Sequence, residues 1–387
     1  MSGGATQLRA RAARLRELLR EALQAAFRLV PWPTEPGLRA VGAPGPFSPV
    51  IVTGNYDLTV RRVMRALRGV DAWLVVAPSN GINVWCAASG GMFTTHQVVT
   101  ALKTCGIEDR VKHRRAILPQ LAATGVQARE VARRCGWRLR FGPVYAQDLP
   151  RYLAGDQKKT DAMRRVRFGV AERLEMAAAW AAPAALVVAA GAALVKPAFA
   201  PGLVALAVIL ATTCFLVYDR IPEPRRLLFG VAAVAAALAG VALAGGETPA
   251  LLTAAAGGAA LTALLTFDYS GSTPTEGGSH FEERSWHIVL DRERCRGVYS
   301  CWEVCPEACF EKRPNLHTVD LAHDGRCIRC GACVVQCPMD ALAFEDAEGR
   351  RVEPDAIRRF KLNLLGRRAV DAGSPGAGAV AEPPEAP

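Results

Sequence analysis

SPVIVTGNYDLTVRRVMRALRGVDAWLVVAP, residues 48–78, decides the fold of the first half of the chain. Residues 48–54 form a short Val/Ile run that ends on Thr-Gly, the composition of a buried strand. Residues 55–69 turn amphipathic and read as a helix, and residues 71–78 return to an unbroken apolar run. Outward from there the rhythm repeats: RRAILPQLAA at 114–123, a helix over 125–136 and a short strand over 137–143. Strands alternating with amphipathic helices predict an α/β layer structure with a mainly parallel sheet. In such sheets ligands lie at the carboxyl ends of the strands, where the turns TGN at 53–55 and SNG at 79–81 fall.

At 387 residues the chain is long enough for two or three domains. Its hydrophobic content of 51% against 21% charged residues is high for a soluble protein and points to membrane spans. The net charge of +11 is not gathered in an aromatic-studded stripe, which argues against a nucleic-acid partner. The basic residues cluster over 9–20 and 158–173 and beside apolar segments, as an interfacial helix and cytoplasmic membrane flanks require. Residues 1–27 are basic and amphipathic without the apolar core of a secretory signal. They read as a surface helix on its own domain, with a membrane-lying helix as the alternative.

Four stretches, 176–195, 198–218, 227–244 and 250–267, carry no charges, and each is about long enough to cross a hydrocarbon core of roughly 30 Å. Three joined buried helices in a soluble protein are the alternative. Basic residues precede the first span and join the second to the third, whereas KPAFAPG and GGETP are nearly uncharged. Basic loops stay in the cytoplasm, so both soluble parts are expected to face it from a multi-pass cytoplasmic membrane protein.

Twelve cysteines are present, eight of them between 295 and 337. CIRCGACVVQCP at 327–338 is a complete C-x2-C-x2-C-x3-C-P run, and CRGVYSCWEVCP at 295–306 repeats its frame with Val298 in place of the second Cys. The doubled frame argues for iron–sulfur clusters over a zinc site, which needs only four ligands. The two runs resemble the bacterial two-cluster ferredoxins over about 55 residues. That resemblance implies one [4Fe–4S] cluster on Cys305, Cys327, Cys330 and Cys333, and a second cluster on Cys295, Cys301 and Cys337. Val298 cannot ligate iron, so the second is expected as [3Fe–4S], or as [4Fe–4S] with a non-Cys ligand. Cys309 is either a replacement ligand or a buried apolar residue.

Cys86 stands alone in NVWCAASGG, residues 83–91, and taken by itself reads as a small buried residue. The surrounding segment closely resembles the N-V/I-W-C-A-A/G-G-K motif of the mercury-methylating corrinoid protein family. The stretches at 49–63, 111–126, 141–153 and 267–275 resemble the same family in order and spacing, so the likeness covers most of residues 48–275. It implies a corrinoid domain related to the corrinoid iron–sulfur protein of acetyl-CoA synthesis, a membrane domain, and a ferredoxin partner fused here to the same chain.

The same resemblance implies that the Cys86 thiolate ligates cobalt from the lower face of the corrinoid, and that Asn83, Val84, Trp85, Ala87, Ala88, Ser89 and Gly90 complete the cofactor-binding motif. Asn83 is a good helix N-cap, and Ala87 and Ala88 are expected to leave room for the macrocycle. The implied activity is a corrinoid-dependent methyltransferase. It would take a methyl group from a methylfolate-dependent donor protein and pass it to Hg(II) or another soft metal ion. The clusters, fed by an external electron donor, would return cobalt to Co(I).

Departures from the family pattern are Ser89-Gly90 where it has Gly-Lys, four spans where it is drawn with five, and no Cys after Cys337. A methyl carrier with another acceptor and a membrane electron-transfer protein are the rival readings. The expected organisation is an amphipathic segment at 1–47 and a corrinoid-binding α/β domain at 48–173. A four-helix transmembrane domain at 174–267 and a linker at 268–285 follow. A two-cluster ferredoxin-like domain at 286–350 and a short helix with a disordered tail at 351–387 complete the chain. His96, His113, Cys105, Cys135, Cys214 and Asp148 read as structural.

Overall fold

The computed structural model describes residues 2–28, 30–195, 197, 200–217, 226–243, 256–259, 286–346 and 348–359. It divides into two compact units, Met1–Trp32 with Arg167–Thr275, and Pro33–Val166 with Glu276–Pro387.

In the second unit the sheet has the order β1-β3-β2-β4-β5, from β1 (Gly37–Val41), β2 (Val50–Gly54), β3 (Ala72–Ala77), β4 (Arg115–Leu118) and β5 (Arg138–Phe141). Strands β3, β2, β4 and β5 run parallel, and β1 is antiparallel to β3, so the sheet is mixed. The unbroken apolar runs are explained by burial on both faces. Val50, Val52, Val75 and Ala77 enter one core, and Ile51, Leu74 and Val76 the opposite one. Helix α2 (Asp57–Ala66) supplies Val60 and Val63 to the second core. Helices α3 (Val84–Ser89), α4 (Thr95–Thr104) and α5 (Ala128–Cys135) feed the first. Cys105 and Cys135 do end helices.

Strand β1 moves the start of this domain ahead of residue 48. Its register, Gly37 to Val76 through Val41 to Ala72, makes residues 37–41 part of the sheet and not of an N-terminal segment. At the other end the unit boundary lies between Val166 and Arg167, earlier than the expected 173.

The ferredoxin-type module pairs β6 (His287–Leu290) with β9 (Leu342–Glu345), and β9 with β10 (Arg351–Val352). A hairpin of β7 (Glu311–Arg313) and β8 (Thr318–Asp320) and short helices Ser300–Val304 and Ala332–Gln336 complete it. The module runs past residue 350, because β10 and the helix Pro354–Arg359 bring Val352 and Ile357 into its core. Only the helical part of the expected 351–387 segment is described. The linker at 268–285 and the tail beyond 359 lie outside the described residues.

In the first unit, α1 (Ser2–Ala26) lies against the helix Val170–Val195, which packs on Ala200–Val217 through Met176, Ala177, Ala181, Leu210, Ala211 and Phe215. The expected spans at 176–195, 198–218 and 227–244 coincide with the helices Val170–Val195, Ala200–Val217 and Arg226–Leu243. Of the fourth, only residues 256–259 are described. Among the described residues one helix, Val170–Leu194, is long and apolar enough to cross a membrane, and Leu203–Val217 is a shorter apolar helix.

Candidate functional site

Two strand ends build the platform for α3. The Asn55 side-chain oxygen accepts from Ser79 N at 2.8 Å and Gly81 N at 3.0 Å, while Ser79 Oγ accepts from Asn55 N at 3.0 Å and donates to Ile82 O at 2.8 Å. These bonds tie the loop after β3 to the turn after β2. A Cβ on Gly81, whose φ is +68°, would lie 2.5 Å from Pro33 N, so only glycine fits this turn. Both glycine-bearing turns singled out in the sequence therefore converge at the carboxyl edge of the parallel strands.

From that loop α3 begins with Asn83 as its N-cap: the Asn83 side chain accepts from Cys86 N at 3.0 Å, and its amide approaches Cys86 Sγ at 3.3 Å. Cys86 is exposed, which removes its reading as a buried core residue. One turn of helix separates Asn83, Cys86 and Gly90, so they share a face. Val84, Ala87 and Ala88 are buried, the two alanines at 0% exposure. The small size of Ala87 and Ala88, expected from the sequence to leave room for a macrocycle, lets α3 pack closely on the 3-10 turn Gln120–Thr124. Trp85, Ser89 and Gly90 are partly exposed, and Ser89 Oγ is buried without a partner among the described residues. Asn83→Ala is expected to lower stability by about 1 kcal/mol and to loosen the position of Cys86, measurable as an earlier urea midpoint at unchanged slope.

The cluster cysteines divide between two cavities. One is lined by Cys305, Cys327, Cys330 and Cys333, together with Cys309. The other is lined by Cys295, Cys301 and Cys337, with Val298 on its wall. Among the described residues no three His, Cys, Asp or Glu side chains converge as a single-ion site requires. Thiols ringing a cavity suit a polynuclear cluster, whose ligands each bind a different iron. Four thiols at the first cavity fit the donor set of a [4Fe–4S] cluster, and the second cavity offers three. Cys309 lies in the four-cysteine cavity, its backbone N–H donating to Cys305 Sγ at 3.3 Å. It is not near Val298 as a replacement ligand.

Burial pushes the Cys301 thiol up to about 12 and raises Cys333 as well. A hydrogen bond from Cys309 brings Cys305 down to about 7 and also lowers Cys327. Without metal the raised thiols of Cys301 and Cys333 hold their protons, so cluster binding must release those.

Polar residues that the sequence did not single out join the module to the α/β domain. Gln120 Nε2 donates to Arg164 O at 2.7 Å and to Val304 O and Cys305 O at 3.3 Å. Lys159 Nζ donates to Gln120 Oε1 at 2.9 Å and to Glu303 O at 2.8 Å, and burial holds its ammonium down at about 7. Arg164 Nη1 donates to Trp302 O at 2.8 Å, with its guanidinium 3.5 Å from the Trp302 ring centre. No local sequence signal marks these residues, because their partners lie up to 185 positions away.

An α/β domain with a thiol at its strand-end edge, carrying a module of cluster-forming cysteines, is the class that this fold and site define. Residues 18–153 match the family described as CO dehydrogenase/acetyl-CoA synthase delta subunit, and residues 323–343 match the 4Fe-4S binding domain. The chain is similar to the acetyl-CoA decarbonylase/synthase complex subunit gamma of Archaeoglobus fulgidus, at 38% identity over 116 residues, 30% of this chain and 24% of the relative. It is similar also to the subunit gamma of Methanopyrus kandleri, at 36% over 125 residues, 32% of this chain and 27% of the relative. The chain thus spans about a quarter of the length of these relatives.

Proposed function

We propose that the protein is a membrane-anchored corrinoid methyltransferase with a built-in ferredoxin, passing a methyl group to Hg(II). The observation that carries the corrinoid reading is α3: an exposed Cys86, fixed through its capped backbone at the carboxyl edge of a sheet similar to corrinoid iron–sulfur subunits. A bound corrinoid supplies a cobalt ion that holds a methyl group between donor and acceptor. Cys86 offers that cobalt a soft, strongly donating thiolate. Asn83 orients it through the cap and through the contact to Sγ. The four thiols of Cys305, Cys327, Cys330 and Cys333 would hold a [4Fe–4S] cluster, whose chemistry would be to supply low-potential electrons. Cys295, Cys301 and Cys337 would hold the second cluster, read as three-iron because Val298 cannot ligate.

Membrane anchoring is supported by the apolar helices of the first unit. Leu186, Val187, Leu194 and Ile209 are exposed there, and only 22% of the most apolar window of Val170–Leu194 is buried. A soluble protein does not leave so much apolar surface in water. The basic flanks orient both soluble parts to the cytoplasm. The methyl donor is a methylfolate-dependent protein, and a low-potential electron carrier feeds the clusters.

Mercury as acceptor rests on the motif around Cys86 and is tested by anaerobic incubation of methylcobalamin-loaded protein with Hg(II). Methylmercury formation above the free-cofactor rate supports it. Methyl transfer to a one-carbon acceptor with none to Hg(II) favours the second reading, a carrier for one-carbon metabolism, which the likeness to acetyl-CoA decarbonylase/synthase subunits supports. Val298→Cys tests the second cluster, since Val298 lines that cavity and is 53% exposed. The substitution is expected to abolish the three-iron EPR signal of anaerobically prepared protein. Retention of that signal at full strength contradicts the assignment.

A further inference from the structure

The join between the ferredoxin-type module and the α/β domain is built of buried and half-buried polar side chains matched to backbone groups. Gln336 Nε2 donates to Ala123 O at 2.8 Å and Val126 O at 2.7 Å, and its oxygen accepts from Ala128 N at 3.3 Å. From the other side Gln120, 1% exposed, reaches the carbonyls of Val304 and Cys305. Between them Val304 and Ala332 of the module share one apolar core with Ala87, Ala88, Ala122 and Ala123, and Cys330 packs against it. Pulling the module away would strip partners from Gln120, Gln336 and Arg164 and expose that core. Each buried polar group left unmatched costs about 1–3 kcal/mol. An encounter surface that forms and releases has no need of such groups.

The docking also has a direction. Cys305 O takes a hydrogen bond from Gln120, and Cys330 lies on the core that backs the Cys86 helix. No residue lining the three-cysteine cavity belongs to that core. Val298 and Met339 on its wall are exposed, and Arg129 reaches its rim through Pro338 O at 3.2 Å.

Resting on the corrinoid reading of Cys86, we infer that Gln120, Arg164 and Gln336 are positioning residues that hold the module in one permanent docking, which makes the Cys305–Cys327–Cys330–Cys333 cluster the direct donor to the cobalt centre at Cys86. One electron leaves that cluster, oxidising it by one unit, and reduces the cobalt centre by one unit. A low-potential one-electron donor, Ti(III) citrate in the test, restores the cluster. Transfer is then unimolecular, and its rate is set by the tether-free geometry of the join and not by protein concentration.

The test compares the full chain with the Gln120→Ala/Gln336→Ala double variant. Iron content and the EPR spectrum of the four-cysteine cluster check that the module stays folded. Hydrogen exchange over 121–126 and 331–336 is expected to be slow in the wild type and about tenfold or more faster in the double variant. Equal exchange in the two proteins overturns permanent docking, whether or not a corrinoid is bound. With cobalamin bound, single-turnover reduction by prereduced clusters is expected to be independent of concentration. It should slow about tenfold or more in the double variant, in step with loss of the EPR signal of the reduced four-cysteine cluster. A rate proportional to protein concentration, or cobalt reduction that precedes the loss of that signal, overturns the assignment of the donor. Failure to take up cobalamin refutes the corrinoid reading instead and leaves exchange to decide the docking.

Discussion

Cys86→Ala is expected to lower methyl transfer by at least about 100-fold while leaving the fold intact. Losing even an outer-sphere partner of a metal costs about 10–100-fold, and a direct ligand is worth no less. The control is internal to the structure. Cys86 is exposed, so removing its Sγ opens no cavity, and surface changes of this kind stay within about 0.5 kcal/mol. A thermal melt that matches wild type, together with collapsed transfer, separates chemistry from folding. Full transfer by Cys86→Ala would rule out the thiolate mechanism.

Gly125→Ala is the second large effect, and its cause is steric. An added Cβ would lie 2.5 Å from Phe93 O, 2.6 Å from Ala88 O and 2.9 Å from Ala88 Cα. All three are backbone atoms, so no side chain can rotate away. Helix α3 must move or the turn before it must open. The expected cost is about 2–3 kcal/mol in stability. Weakened cobalamin uptake should accompany it, because Cys86 rides on the displaced helix. A drop of about 5 °C in melting temperature with reduced corrinoid stoichiometry is the expected result. Unchanged values for both would show that α3 does not depend on this contact.

The contrast between these two positions shows what the sequence could reveal. The parallel strands were legible because Val-rich runs buried on both faces admit few other readings. The division of the cysteines between two cavities matches what the resemblance to two-cluster ferredoxins implies, with the last Cys of each run lining the other run's cavity. Strand β1 was hidden: GLRAV at 37–41 is short, carries Arg39 and lies among prolines, as an antiparallel edge strand can. The burial of Ala87 could not be read from the helical step, which sets it within about 40° of Asn83; it is the turn Gln120–Thr124, brought in by the fold, that α3 packs on. The interdomain join could not be read at all. Gln120, Lys159, Arg164 and Gln336 are ordinary polar residues until the fold brings carbonyls from a distant segment against them.

The most direct test of a cobalt–sulfur bond at position 86 is the ultraviolet–visible spectrum of purified protein reconstituted anaerobically with cobalamin, recorded for wild type and Cys86→Ala. One corrinoid per chain, with bands that shift when the sulfur is removed, is the result expected. No uptake, or spectra that coincide for the two proteins, would contradict it.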